Sequence, residues 1–455
     1  MFKDSIFWLL LLFAAAYILG NIGSGSLTTW DEAVYANISR ELLKSNNWLV
    51  LRSQGNPWFE KPPLYMWLTA IFYKVLGVSE FSTRITSSLF GIATVLLLYI
   101  FVRNKHSLEA GILASLILLA APHFLHFAKM GMLDVSYTFF MIMMIYLFWR
   151  GQERPICLFF SGAVMFAGYL VKGPAIFLAL FIILVYALFT KQLRMIAKPQ
   201  FILGILFSGA MIFFWHYGQY LLAGPESLKK FFGYHVFERS TQALEGHTGG
   251  WNFYQKAVFN KNKPWSVLFY LSLLYTLWAA LRKRDKSAIL ICVWVVSAYA
   301  LYSLVKTKLH WYIIPIYPAL AFSSALFLEK LLKKNMFIVF LSIILAGMLL
   351  QTQLSWSFKL DLNPSVKNVS SIAKKLYQGG SDIYQFGSDN GGLFYCDFAR
   401  QFNEDTRRIQ LSQNTPEAYL LAFQEYVQNL AEKYNFAYRE AYSQQNFALY
   451  KIKFN

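Results

Sequence analysis

Long apolar runs separated by short polar loops make up most of the chain. Runs near residues 6–22, 82–102, 108–125, 133–149, 156–171, 174–190, 200–222, 264–281, 286–305, 309–328 and 335–351 are apolar enough to cross about 30 Å of hydrocarbon. They predict an all-α polytopic membrane protein with about 11 transmembrane helices. The first run follows Lys3 and lacks a clean small-residue cleavage site, so it reads as a retained helix rather than a signal peptide. Two stretches break the pattern. The loop 23–81 is too polar to cross. Within it Val34, Ile38 and Leu42 recur at helical spacing with Arg40, Glu41 and Lys44 on other faces, the pattern of an amphipathic interfacial helix. Leu64–Leu76 is a second apolar stretch, too short to span and suited to the interface. The tail, 352–455, loses the apolar runs. There Ile383–Phe386 and Ala448–Ile452 read as strands and Pro416–Tyr434 as a helix, the elements of a small soluble α/β domain. The expected organisation is a membrane domain over 1–351, with outer loops 23–81 and 223–263, followed by a domain over 352–455.

Composition supports the membrane reading. The 455 residues are 56% hydrophobic and only 15% charged, whereas soluble domains are about 45–50% apolar and about 25% charged. A net charge of +18 would suggest nucleic acid in a soluble protein. Here the basic residues cluster in short loops, so no nucleic-acid partner is expected. Arg103 and Lys105; Arg150 and Arg154; Lys191, Arg194 and Lys198; Arg282, Lys283, Arg284 and Lys286; and Lys330, Lys333 and Lys334 follow every second run. All these loops then fall on one side, which the positive-inside rule makes the cytoplasm. The N-terminus is expected in the cytoplasm, and the loops 23–81 and 223–263 and the tail outside. Cys157, Cys292 and Cys396 form neither a disulfide framework nor a CxxC pair.

The candidate chemistry gathers on the outer side. Asp31 and Glu32 would stand just beyond the first span, and Asp134 at the outer start of another. Each carboxylate has a plain alternative as a helix cap, but ionisable residues at membrane depth point to a site. Lys61, Arg84, Lys172, His235, Arg239, Lys306 and Lys308 all fall on the side where the positive-inside rule places few cations. Together they ask for an anion, and a phosphate fits. Lys172-Gly173-Pro174 is a helix break within apolar sequence, a feature tolerated at depth where backbone lines a cavity. Glu60 and His235 are weak candidates for a divalent metal, and no other cofactor is expected. The residues alone suit a transferase acting on a lipid phosphate or a secondary transporter of an anionic substrate. A transporter would show repeated halves with ionisable groups near the midplane, and no repeat is visible.

Asp31-Glu32-x-x-Tyr35-Ala36, then Phe59-Glu60-Lys61-Pro62-Pro63-Leu64 and Arg84, resembles the first outer loop of the membrane glycosyltransferases related to the lipid A aminoarabinose transferase and the protein O-mannosyltransferases. Met132-Leu133-Asp134, Lys172-Gly173, His235-x-x-x-Arg239 and Lys306-x-Lys308-Leu309-x-x-Tyr312 with Pro315 are similar to that family's later motifs. The resemblance runs to about residue 330, and the tail adds no match. It implies a C-type glycosyltransferase fold in a bacterial inner membrane. It also implies a polyprenyl-phosphate-linked sugar donor, a lipid A, other glycan or protein acceptor, surrounding membrane lipids, and an inverting displacement on the periplasmic face. The implied catalytic residues are Asp31, Asp134 and Glu32. Lys61, Arg84, Lys172, Arg239 and Lys308 are the implied cations for the donor phosphate. Tyr35 and Tyr312 would line the sugar pocket or serve as interfacial aromatics. Asp31 acts as general base for a hydroxyl acceptor and orients the acceptor if it is already an anion.

Overall fold

The computed structural model describes residues 5–28, 31–244, 246–332, 334–353, 364–377, 382–386, 390–396, 400–401 and 417–454. Two compact units emerge. One comprises 1–20, 59–68 and 85–358, and the other 21–58, 69–84 and 359–455. This division differs from the expected cut at residue 351. Most of the first outer loop groups with the tail, because its helix buries small apolar residues against side chains from the tail rather than against lipid.

The first unit is helical. It contains α1 (Ser5–Leu19), the start of α3 (Leu64–Leu76), most of α4 (Glu80–Lys105), α5 (Leu108–Ala120), α6 (Pro122–Lys129), α7 (Leu133–Arg150), α8 (Ile156–Lys172) and α9 (Phe177–Phe189). It continues with α10 (Pro199–Ala223), α11 (Phe253–Lys261), α12 (Ser266–Trp278), α13 (Lys286–Leu304), α14 (Tyr317–Leu331) and α15 (Lys334–Gln353). Among the described residues, six helical runs are long and apolar enough to cross a membrane, or seven if α5 and α6, bent by 69°, count as one. The shortfall against the expected runs has three sources. α1 and α12 are short, α5 is bent against α6, and α8 with α9 forms one run of 34 residues.

That run does not continue straight. A Cβ on Gly168 would lie 2.5 Å from Ile176 Cδ1, although a straight helix separates positions eight apart by about 12 Å. The chain therefore turns back at Gly173, whose φ of +62° lies in the left-handed region that L side chains avoid. α8 also meets α10 closely. A Cβ on Gly162 would come within 2.5 Å of the Gly204 carbonyl carbon, and Ser208 Oγ donates to the Gly162 carbonyl at 2.7 Å. Small residues at such contacts let backbones approach without a hydrophobic driving force between helices. Across α12 and α14, Ser272 pairs with Ser324 and Thr276 with Ser323 at 3.1 and 2.7 Å, so buried hydroxyls satisfy one another.

The second unit holds α2 (Asp31–Ser45), a two-strand hairpin of β1 (Arg52–Ser53) and β2 (Asn56–Pro57), and the tail. α2 buries Ala33 and Ala36 in a cluster with Leu27, Tyr73 and Phe394. Arg40, expected on its solvent side, donates to the carbonyls of Leu393 and Phe394 at 2.9 and 3.0 Å. The tail carries α16 (Pro364–Tyr377), β3 (Ile383–Gln385), α17 (Asn390–Tyr395), β4 (Arg400–Gln401), β5 (Glu417–Phe423), α18 (Gln424–Tyr434), β6 (Phe436–Gln444) and β7 (Phe447–Phe454). The sheet order is β4-β3-β5-β7-β6, parallel at β4-β3-β5 and antiparallel beyond. The helix expected over 416–434 begins only at Gln424. Glu417–Phe423 is instead a central strand with both faces covered. Leu420 packs with Val427 and Leu430 of α18, while Leu421 packs with Val366 and Val369 of α16. Strands buried on both faces read as continuous apolar runs and mimic helices in sequence.

Candidate active site

The two adjacent acids at the start of α2 have separate fates. Glu32 is fully buried with Arg84, its Oε1 2.8 Å from Arg84 Nε. The remaining Arg84 donors reach the carbonyls of Ile22, Ser24 and Ser26 at 3.0, 2.8 and 2.8 Å, and Glu32 Oε2 at 3.4 Å. Glu32 also accepts from the Thr28 N–H at 2.8 Å. Arg84 thus fixes the segment 22–28 and has no donor left for a substrate phosphate. Its expected phosphate role and the expected catalytic role of Glu32 give way to structural ones. Tyr35 is buried beside Trp58, with ring centroids 6.4 Å apart. Asp31 is half-buried at the helix start. Among the described residues its carboxylate has no hydrogen-bond or ion-pair partner.

In the first unit the reversal at Gly173 builds a charged cluster. Lys172 ends α8 and its ammonium pairs with the Asp134 carboxylate in the first turn of α7. Each charge sits at the helix end whose dipole favours it. Side-chain exposure is 11% for Lys172 and 3% for Asp134, so the pair is shielded yet the ammonium is not sealed. The Lys172 ammonium lies 4.6 Å from the Tyr312 ring centroid and 5.6 Å from that of Tyr137, within cation–π range. Tyr137 donates to the Ala175 carbonyl at 2.8 Å, tying the turn to α7. A Cβ at Gly173 would press within 3.1 Å of the Phe231 ring and 3.9 Å of Pro62 Cγ. Pro62 therefore brings the Glu60-Lys61-Pro62 segment beside the Lys172 turn. Lys61 is half-buried there, its Nζ 3.3 Å from the Glu60 carbonyl.

Arg239 donates to the Tyr312 hydroxyl at 3.3 Å. Its position follows from backbone pairing. Thr307 N–H donates to the Arg239 carbonyl and Lys306 N–H to that of Ser240, at 3.3 and 3.1 Å, and Lys308 N–H to that of His247 at 3.0 Å. Arg239, Ser240 and His247 are thereby tied to 306–308. Lys308 points elsewhere. Its ammonium donates to the Ser303 and Val305 carbonyls at 2.6 and 2.7 Å, closing the C-terminal end of α13. Burial lowers its pKa. The expected phosphate contact of Lys308 is thus replaced by a helix cap. His235 lies in the π-helix Lys229–Glu238, and its side chain is outside the described residues. Glu60 is half-buried. Among the described residues no group of three or more His, Cys, Asp or Glu side chains is placed to hold a metal ion.

Three buried tyrosines escaped the sequence reading. Tyr302 donates to the Tyr137 hydroxyl at 3.4 Å, and the rings of Tyr254 and Tyr312 lie 6.1 and 6.2 Å from that of Tyr302. Tyrosine in place of phenylalanine within an apolar run is the available signal, because a buried hydroxyl needs a partner.

A family model described as Dolichyl-phosphate-mannose-protein mannosyltransferase matches residues 60–217. An uncharacterized protein of Aquifex aeolicus is 30% identical over 342 residues, 74% of this chain and 76% of that one. The undecaprenyl phosphate-alpha-4-amino-4-deoxy-L-arabinose arabinosyl transferase 1 of Pseudomonas fluorescens is 27% identical over 322 residues, 68% of this chain. The chain spans 56% of that transferase's length. Among solved structures, ArnT from Cupriavidus metallidurans in the apo state superposes with a TM-score of 0.82 at 20% identity, covering 99% of this chain and 98% of that one. The same protein bound to undecaprenyl phosphate gives 0.77 at 19%, covering 97% of each chain. By fold and by sequence, the chain is similar to the membrane glycosyltransferases that include the aminoarabinose transferases and the protein mannosyltransferases.

Proposed function

We propose that the protein moves a sugar from a polyprenyl-phosphate donor to a lipid A, other glycan or protein acceptor of the bacterial envelope, on the membrane face opposite its basic loops. The observation that carries this is the Lys172 ammonium, held by Asp134 and roofed by Tyr312 with Arg239 on its phenol. Transfer by inversion has the acceptor oxygen attack the anomeric carbon while the bond from that carbon to the phosphate oxygen breaks. The electron pair leaves with polyprenyl phosphate, and its growing charge is best met by cations fixed beforehand. Lys172, Arg239 and Lys61 take that role. Asp134 keeps the Lys172 ammonium aimed. Asp31 takes the proton of a hydroxyl acceptor, which requires hydrogen-bond reach. An acceptor that is already a phosphate anion brings no proton, and Asp31 then orients it or binds an amino group. The name of the Pseudomonas relative and the lipid bound in the Cupriavidus structure support a polyprenyl-phosphate donor. The positive-inside rule supports a cytoplasmic N-terminus and a periplasmic C-terminal domain.

The test is turnover by the purified protein in bilayers, with undecaprenyl phosphate carrying a pentose or a hexose and with lipid A as acceptor. Release of undecaprenyl phosphate coupled to a sugar-sized mass gain on lipid A is expected. Intact donors of both kinds, with lipid A and with envelope extract alike, contradict the reading.

A further inference from the structure

A groove of about 720 Å³ lies at the end of the first unit that carries the basic loops. Its walls come from the ends of α9 and α12 and the start of α13, and include Phe189, Leu281 and Val296. These three side chains are 66%, 70% and 65% exposed, so the groove opens toward the hydrocarbon. Its rim carries Lys191, Arg284 and Lys286. Among the described residues none of the three has an acidic partner. The one carboxylate within that stretch, Asp285, turns away: it accepts from the Ala288 N–H at 2.8 Å and lines a different cavity with Lys283. Lys191 and Arg284 also adopt left-handed backbones, φ +57° and +52°, where glycine would be the unstrained choice. A positive loop that served topology alone needs neither a groove beneath it nor the acid turned outward.

We propose that this groove binds an anionic phospholipid of the adjoining leaflet. The three cations hold the headgroup phosphate, and an acyl chain lies along Leu281 and Val296. Basic pockets between spanning helices on the cytoplasmic side are suited to such headgroups.

The test is native mass spectrometry of the full-length protein extracted from vesicles of equal parts phosphatidylethanolamine and phosphatidylglycerol. Retained phosphatidylglycerol should exceed phosphatidylethanolamine. The variant K191Q/R284Q/K286Q should lose that preference by about fivefold per cation removed. V296W keeps every charge but fills the groove, and should lose retention as well. R150Q/R154Q, in another basic loop, should retain the lipid like wild type. The proposal is overturned if wild type shows no preference, if V296W binds normally, or if R150Q/R154Q loses as much as the groove variant. Complete displacement by inorganic phosphate would also overturn it, because a seated acyl chain resists such competition.

Discussion

Arg84 directs all its N–H donors into the protein, and Glu32 receives two of these bonds, at 2.8 and 3.4 Å. The neighbouring carboxylate of Asp31 is left half-exposed, without a partner among the described residues. Two acids adjacent in sequence thus divide into one that holds the loop and one that is free to act.

This division predicts opposite phenotypes. Glu32→Gln leaves a buried guanidinium uncompensated and should cost about 3–5 kcal/mol. Arg84→Lys should not rescue stability, since an ammonium has three donors and no fork. Asp31→Asn should change stability by only about 0.5 kcal/mol and abolish transfer. Thermal unfolding in detergent, read beside turnover, checks the ranking. Unfolding of D31N with E32Q left intact would reverse the assignment.

Lys172 and Asp134 should behave as one unit. Lys172→Ala should lower kcat/KM for the donor by about 10²–10³, the scale for losing one fixed charge stabiliser. D134N/K172A should be little worse than K172A alone, with a coupling of about 0.5–3 kcal/mol. A double-mutant cycle on kcat/KM measures this, and additive effects would mean that the two side chains act separately.

Gly173→Ala tests the turn. The left-handed backbone costs an L residue about 1–2 kcal/mol, and the added methyl meets the Phe231 ring at 3.1 Å. Donor KM should rise because the Lys172 ammonium moves with the turn. Gly209→Ala is the control, since nothing lies within 4 Å of its added methyl. It should leave KM unchanged.

The two lysines of the later and earlier motifs should separate. Lys308→Met removes the cap on the Ser303 and Val305 carbonyls. It should cost about 1–3 kcal/mol of stability with donor KM unaltered. Lys61→Ala should raise donor KM with little change in unfolding temperature. Titrating donor against both variants decides the matter.

Much of this was legible in the chain. The apolar runs located the helices, and the break at Lys172-Gly173-Pro174 marked the turn that carries the charged cluster. Other features were hidden for physical reasons. Nothing local distinguishes a cation aimed at solvent from one such as Arg84 or Lys308 that satisfies buried carbonyls, because those acceptors are distant backbone atoms. The strand Glu417–Phe423 resembled a helix because both its faces are covered. Tyr137 and Tyr302 lie within or beside apolar runs, and nothing local in the sequence shows that their hydroxyls meet.

The most direct measurement compares the envelope lipids and glycans of cells with wild-type protein, with D31N and with no protein, by mass spectrometry. One envelope species should lose a single sugar residue's mass without the protein. Wild type should restore it and D31N should not. Identical envelopes in all three strains would contradict the transferase account.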